Sequence, residues 1–238
     1  MKIEILYPEL TNAYGDGINI KYLKEMFSKK EVILTSIDEE PYFVKHKVDL
    51  IYMGSHPDEY DDIILKSLKP YIKKLRELIE ENTPVLFTGN AMELFGSFME
   101  EKGIKKETLN LFPEFSFKRN KEARYNSMFL GTYGDIKIVG NQSQTSFMYG
   151  DNKYPFIEAC EGCIGMNEES KVEGIHYKNF YATYLLGPFL LLNPLFTKYL
   201  LGLSGYKKPL YLESQLMKTY ENRLSFMETM EHKYIGPE

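Results

Sequence analysis

Four short apolar runs, each closed by a turn and separated by segments of helical spacing, constrain this chain more than any other feature. They are KIEILY (2–7), EVILTSID (31–38), VDLIYMG (48–54) and PVLFTG (84–89). The third is continuously apolar up to its glycine, as a strand covered on both faces must be. Between the runs, GDGINIKYLKEMFSKK (15–30) places Ile18, Tyr22, Leu23, Met26 and Phe27 on one helical stripe. DDIILKSLKPYIKKLRELIEEN (61–82) reads as helix that Pro70 splits or kinks, because proline has no N–H to donate. AMELFGSFMEE (91–101) reads as a further helix. Strands alternating with helices dictate a mainly parallel sheet with helices on both faces, a three-layer α/β arrangement.

The pattern changes after residue 104. FSFKRN (115–120), FLGTYGDIKIVGNQSQTSFMYG (129–150), FIEACEGCIGMN (156–167) and VEGIHYKNFYATYLLG (172–187) are β-branched or aromatic and spaced by turns. They predict additional antiparallel strands in the second half. Helical spacing returns in LYLESQLMKTYENRLSFMETMEHKYIG (210–236). No repeat or linker interrupts the chain, so residues 1–205 are expected to form one domain, with 206–238 a helical extension packed on it. The aromatic side chains of 112–154 suit either an interface or the core of a chain without tryptophan.

Composition narrows the function classes. A net charge of −5 argues against nucleic-acid or anionic-membrane partners, which need concentrated Lys and Arg. The longest apolar stretch, YLLGPFLLLNPLF (184–196), is too short to span a bilayer and is broken by Gly187, Pro188 and Pro194. No apolar leader follows the N-terminal Met-Lys, so a cytoplasmic setting is expected. Cys160 and Cys163 form one C-x-x-C, too few thiols for a disulfide framework or a four-thiolate zinc site. Asp16, Asp58 and Glu93 bring carboxylates to predicted strand ends without the spacing of a metal-ligand set, so no metal is expected. YGDGIN (14–19) lacks the dinucleotide spacing and reads as a turn, so no cofactor is expected.

Ligands of open parallel sheets bind beyond the C-terminal ends of the strands. Here those ends are LYPELTNAYGDGIN (6–19), YMGSHPDEYDD (52–62) and FTGNAMELFG (87–96). Together with EGIHYKNFYATYLLGPFLLLNPLF (173–196), they resemble the CobB/CobQ-type class I glutamine amidotransferase domain. The resemblance extends to the glutaminase domain of cobyric acid synthases and to the amidotransferase subunits of lipid II isoglutaminyl synthases. It implies a flavodoxin-like sheet, a Cys nucleophile on the turn after a central strand, a His base, and ammonia passed to a synthetase partner. Aligned on Leu94, Phe95 and Gly96, the family's Cys falls on Gly89. The His of its Tyr-Leu-His-Gly-Pro string falls on Leu186, within Tyr184 to Pro188. In GNQSQTSFMYG (140–150), Gln142 takes the place of a Glu, and Phe147 lies near that of a carboxylate-binding Arg. The resemblance therefore implies a chain without the glutaminase nucleophile and base.

Three functions remain open from the sequence. The remains of the site can bind a protein partner or a small ligand through His56, Thr88, Gly89, Asn90, Glu93, Gln142 and Gln144. Alternatively, Thr88 attacks a substrate with His56, His176 or Glu93 assisting, in a retooled hydrolase or transferase. The third option is a non-catalytic subunit held by a ligase-like or synthetase-like partner.

Overall fold

Strands β1 (Ile3–Leu6), β2 (Val32–Thr35), β3 (Leu50–Met53) and β4 (Val85–Thr88) lie parallel in the order β2, β1, β3, β4. The computed structural model describes residues 1–159 and 162–236. Helix α1 (Asp16–Met26) follows β1, and α2 (Asp61–Leu68) and α3 (Ile72–Glu80) follow β3. Pro70 acts as the sequence predicts: a 3-10 turn over Lys69–Tyr71 separates α2 from α3. The AMELFGSFMEE helix does not form. Gly89–Phe95 is a single 3-10 segment, and Phe98–Glu101 is strand β5. The reason lies in what Gly96 and its neighbours pack against. Leu109 donates its N–H to Leu94 O at 2.8 Å, and Ser97 donates to Phe115 O at 2.8 Å. These bonds draw the chain into a second sheet instead of a helix.

That second sheet was not foreseen. It comprises β5, β6 (Ile104–Glu107), β7 (Phe115–Arg119) and β10 (Ser146–Gly150), ordered β10, β7, β5, β6. The main sheet continues from β4 through β13 (Phe180–Thr183), which is parallel to it. Antiparallel β12 (Val172–Tyr177), β11 (Pro155–Ala159) and β8 (Tyr125–Tyr133) follow. β8 pairs along its length with β9 (Ile136–Gln144) and also takes the short β14 (Tyr234–Ile235). The parallel, doubly covered half and the antiparallel additions agree with the sequence reading.

Alternation along the strands decides which side chains reach the site. Val85 and Phe87 of β4 join the core under α2 and α3, where Phe87 stacks on Phe95 at 4.4 Å. Leu86 points to the opposite core, with Tyr52, Ile20 and Leu23. Thr88 belongs to that second set by parity. Helices α4 (Phe189–Leu192) and α5 (Pro194–Leu203) cover the same side. Burying each such apolar side chain contributes about 1.5–3 kcal/mol, so the cores fix the strand ends firmly. Ile18, expected on the buried stripe of α1, is 49% exposed; Ile20, Tyr22 and Leu23 carry that contact. Of the two readings of the aromatic side chains of 112–154, core holds for Phe112, Phe115, Phe117, Phe129 and Phe147, which are buried, whereas Tyr149 is exposed.

The Asn-Pro of residues 193–194 has a structural task. Asn193 accepts the Val139 N–H at 2.8 Å and donates to Val139 O at 2.9 Å, stitching β9 to the start of α5. The last helix, α6 (Glu213–Thr229), packs Tyr220 and Met227 against Leu130 and Val139. Among the described residues, no helix is long and apolar enough to cross a membrane.

Candidate functional site

β4 ends at Thr88, and the next residue, Gly89, has φ 62° before the chain enters its 3-10 segment. A strand turned through one left-handed residue into a helical segment is the geometry that displays a nucleophile in α/β enzymes. Gly89 has no side chain to display, and there is no room for one. A Cβ built on it lies 2.5 Å from Ser55 Cβ and 2.9 Å from Ser55 Oγ. Leu186 lines the same small cleft, of about 40 Å3, together with Gly89, Asn90, Asp58, Glu93, Gln144 and Tyr184. The turn bearing Leu186 is held in place by Leu186 N–H donating to Asn141 O at 3.0 Å. It is also held by the face-to-face contact of Gly187 with Gly15. A Cβ on Gly15 would meet Gly187 O at 2.5 Å, so both glycines are needed for this approach.

Beneath the elbow lies a closed polar layer. Asp16 accepts the Ser55 N–H at 2.6 Å, the Ser55 hydroxyl, and the Asn19 amide at 2.8 Å. Asn19 also donates to Tyr52 OH at 3.0 Å, and Tyr52 OH lies 3.1 Å from Thr88 Oγ1. All five residues are fully buried. Burial raises the Asp16 carboxyl, while the bonds from Ser55, Thr88 and Tyr52 pull it back down. Thr88 is therefore a member of a structural network. Its hydroxyl meets Tyr52 and Asp16, not His56 or Glu93, which counts against the alternative in which Thr88 attacks a substrate with either of them assisting.

His56 is not a loop residue on the surface; it is fully buried. Its Nε2 bonds Asp61 Oδ1 at 2.9 Å, and Asp61 Oδ2 accepts Arg119 Nη1 at 2.7 Å. Arg119 then holds Glu93 Oε2 through Nη2 at 2.6 Å and Nε at 3.2 Å. Asn90 clamps the His56 backbone, accepting its N–H at 3.0 Å and donating to its carbonyl at 2.8 Å. Asn90 also donates to Asp58 Oδ1 at 3.2 Å. Burial acts to raise Asp61, but the His56 hydrogen bond and the Arg119 charge outweigh it and leave the carboxyl lowered. Glu93 goes the other way: burial pushes it up to about 7 against the pull of Arg119.

The second half of the chain supplies side chains with unmet hydrogen-bonding capacity. Gln142, both amide atoms of which lack a partner, is buried away from the cleft. Gln144 donates to Ser146 O at 2.9 Å, while its Oε1 has no partner. Tyr184 OH and Ser146 Oγ are neighbours, close enough for Ser146 to oppose the rise of the Tyr184 hydroxyl that burial causes. Neither makes a hydrogen bond of good geometry. Phe147 is buried against Tyr125 at 4.7 Å, and the arginine at the cleft is Arg124, exposed and bonded to Ser143 O at 3.3 Å.

Of the residues singled out from sequence, the cleft brings together Gly89, Asn90, Glu93, Gln144 and Leu186, and leaves Thr88, His56 and Gln142 behind its walls. His176 stands apart, stacked on Tyr181 at 4.7 Å. Ser55, Asp61, Arg119, Arg124 and Tyr184 were missed. Only Tyr184 carried a signal, because it begins the Tyr-Leu-Leu-Gly-Pro string. The C-x-x-C reading cannot be carried further, because Cys160 lies outside the described residues.

The elbow after a central parallel strand, facing the turn that follows the next parallel strand, sits in an α/β fold like that of a solved glutamine amidotransferase. Comparison with known proteins agrees, although no family model matches the chain. Its homologues include the GatD subunit of lipid II isoglutaminyl synthase (glutamine-hydrolyzing) from Streptococcus pneumoniae (strain ATCC BAA-255 / R6). That relative is 28% identical, over 94% of this chain and 87% of its own length. The GatD subunit from Staphylococcus aureus (strain N315) is also 28% identical, over 85% of this chain and 83% of its own. A solved glutamine amidotransferase structure shares the fold, with a TM-score of 0.56 at 13% identity, covering 87% of this chain and all of that one.

Proposed function

We propose that this chain is a catalytically degenerate glutamine amidotransferase-like protein that works by binding, not by hydrolysing glutamine. One observation carries the reading: at the elbow, Gly89 offers no nucleophile, Ser55 fills the space a Cβ would need, and Leu186 lines the same cleft where a base is required. Nucleophile and base are each worth several orders of magnitude in rate, and here both are missing. A bacterial, cytoplasmic setting is part of the same proposal, by analogy with the two bacterial relatives.

Covalent trapping tests this directly. An electrophilic chloroketone analogue of glutamine is incubated with the protein, and adducts are located by peptide mass spectrometry. No adduct is expected on residues 84–98. A stoichiometric adduct on Thr88, blocked by glutamine, would defeat the proposal.

The two GatD relatives favour a more specific form of the reading. Their names make them subunits of a synthase, and this chain matches them almost end to end. A ligase-like or synthetase-like partner is therefore the protein to seek. Co-purification of the tagged chain with a protein encoded beside it is the expected result. A lone monomer under those conditions would remove this form.

A further inference from the structure

Strand β2 ends the main sheet: β1 pairs with it on one side, and among the described residues no strand pairs with it on the other. The carbonyls of Glu31 and Thr35 accept the N–H groups of Ile3 and Tyr7, so by alternation Val32 and Leu34 turn their backbone groups outward. Val32 spends its N–H on Ser28 O at 3.1 Å, which leaves Leu34 with both its N–H and its carbonyl open. Open sheet edges recruit other strands, and folded proteins blunt them with lysine, proline or bulges. The outer strand of the small sheet, β6, is blunted in this way, since it reads IKKE. β2 reads VILT, with no charge, proline or glycine. A groove of about 430 Å3 runs beside it, between Val32 and Leu34 on one side and Lys24 and Phe27 on the other. Leu34 is 41% exposed, whereas Val32 and Phe27 are buried.

Charge selects the occupant. The strand runs from a basic end, Lys29 and Lys30, to an acidic end, Asp38 and Glu39. Lys29, Lys30 and Asp38 are exposed, and none of them forms an ion pair among the described residues. A second copy of the same strand, laid antiparallel, presents the opposite charge at each end. With a two-fold axis through Leu34, Lys30 comes opposite Asp38 and Lys29 opposite Glu39, because position 34 is the midpoint of both pairs. The same register gives reciprocal N–H to carbonyl bonds between the two Leu34 residues and sets their side chains together on the face that α1 covers. A parallel copy would instead put lysine against lysine. A patch complementary to itself closes as a two-fold dimer.

We propose that β2 is a homodimer interface: a second copy of this chain adds its own β2 antiparallel to the first, and the main sheet runs continuously through both protomers. The edge lies three strands from β4, so this contact is separate from the elbow and does not depend on its chemistry.

Sedimentation equilibrium of the full chain, from about 1 to about 300 µM, tests the interface. The mass is expected to rise reversibly from 27.8 kDa toward twice that value, with a dissociation constant of about 10–100 µM, as a small contact gives. Raising the salt to about 0.5 M is expected to weaken association at least about threefold, because the end charges are exposed. Leu34→Lys sets like charges together at the axis and is expected to leave the chain monomeric over the whole range. Its melting temperature at about 1 µM should stay within about 2 °C of the parent, since the replaced side chain is exposed. Lys30→Glu and Asp38→Lys are each expected to weaken self-association at least about fivefold, and an equimolar mixture of the two to recover it to within about twofold. A monomer at every concentration, a dimer that survives Leu34→Lys, or a mixture no tighter than either variant alone would each overturn the proposal.

Discussion

Gly89 has room at its α-carbon for hydrogen only, and this separates loss of chemistry from loss of one atom. Restoring a thiol by Gly89→Cys places Cβ against Ser55 and forces a side chain into a left-handed backbone. It is expected to destabilise the fold by about 2–4 kcal/mol in urea titrations, and to give no glutaminase activity. The double variant Ser55→Gly with Gly89→Cys should regain part of that stability, because the obstructing Cβ is gone. Additive losses would show that the clash is not between these two side chains. Thr88→Val tests the layer beneath. It removes the hydroxyl that meets Tyr52 and Asp16 and should cost about 1 kcal/mol in urea titrations. That Gly89 stands at the turn after β4 was legible in the sequence, because PVLFTG reads as a strand closed by glycine. The plug was not, because Ser55 lies 34 residues away and meets Gly89 only when β3 and β4 pair.

Between elements, the chain of His56, Asp61, Arg119 and Glu93 ties the loop after β3, α2, the small sheet and the elbow together. Arg119→Leu leaves buried Asp61 and Glu93 without their cation, and is expected to cost about 3–5 kcal/mol in equilibrium unfolding. The carboxyls also give a pH dependence. Glu93 and Glu173 are each pushed by burial from 4.5 up to about 7, Glu93 against Arg119 and Glu173 against its bonds to Thr183 and Tyr184. The folded state then holds more protons than the unfolded one. Their contribution is fully present below about pH 4.5 and is lost as pH rises through about 7. Asp61, lowered from 3.8, has the opposite sign and contributes above that pH, fading as acid protonates it. Urea midpoints should therefore fall between pH 5 and 8, and Glu173→Gln should flatten that slope. An unchanged slope would exclude Glu173 as a contributor. This network was invisible in sequence, because its members lie between residues 56 and 119 and carry no shared spacing.

Across the whole molecule, the parallel half was legible because each strand is a short apolar run and each helix has its own period. The second sheet was not. Its strands β5 and β6 are short and polar-edged, and β5 was masked by a plausible helical pattern through AMELFGSFMEE. The antiparallel half needs α6 to cover it. Tyr220 and Met227 fill the patch over Leu130 and Val139, and Tyr220 OH bonds Lys137 O at 2.8 Å. Tyr220→Ala should cost about 3 kcal/mol and lower the melting temperature of the whole cooperative unit. A separate early transition would instead show that residues 206–238 melt independently of 1–205. The central claim, that this fold has kept the elbow and lost its chemistry, is tested most directly by glutamate release from glutamine. The measurement is made on the purified chain alone and on the chain with any partner it captures. No release above the buffer rate is predicted in either case. Release that is attributable to this chain, whether it persists or disappears when Thr88 is replaced, would contradict it.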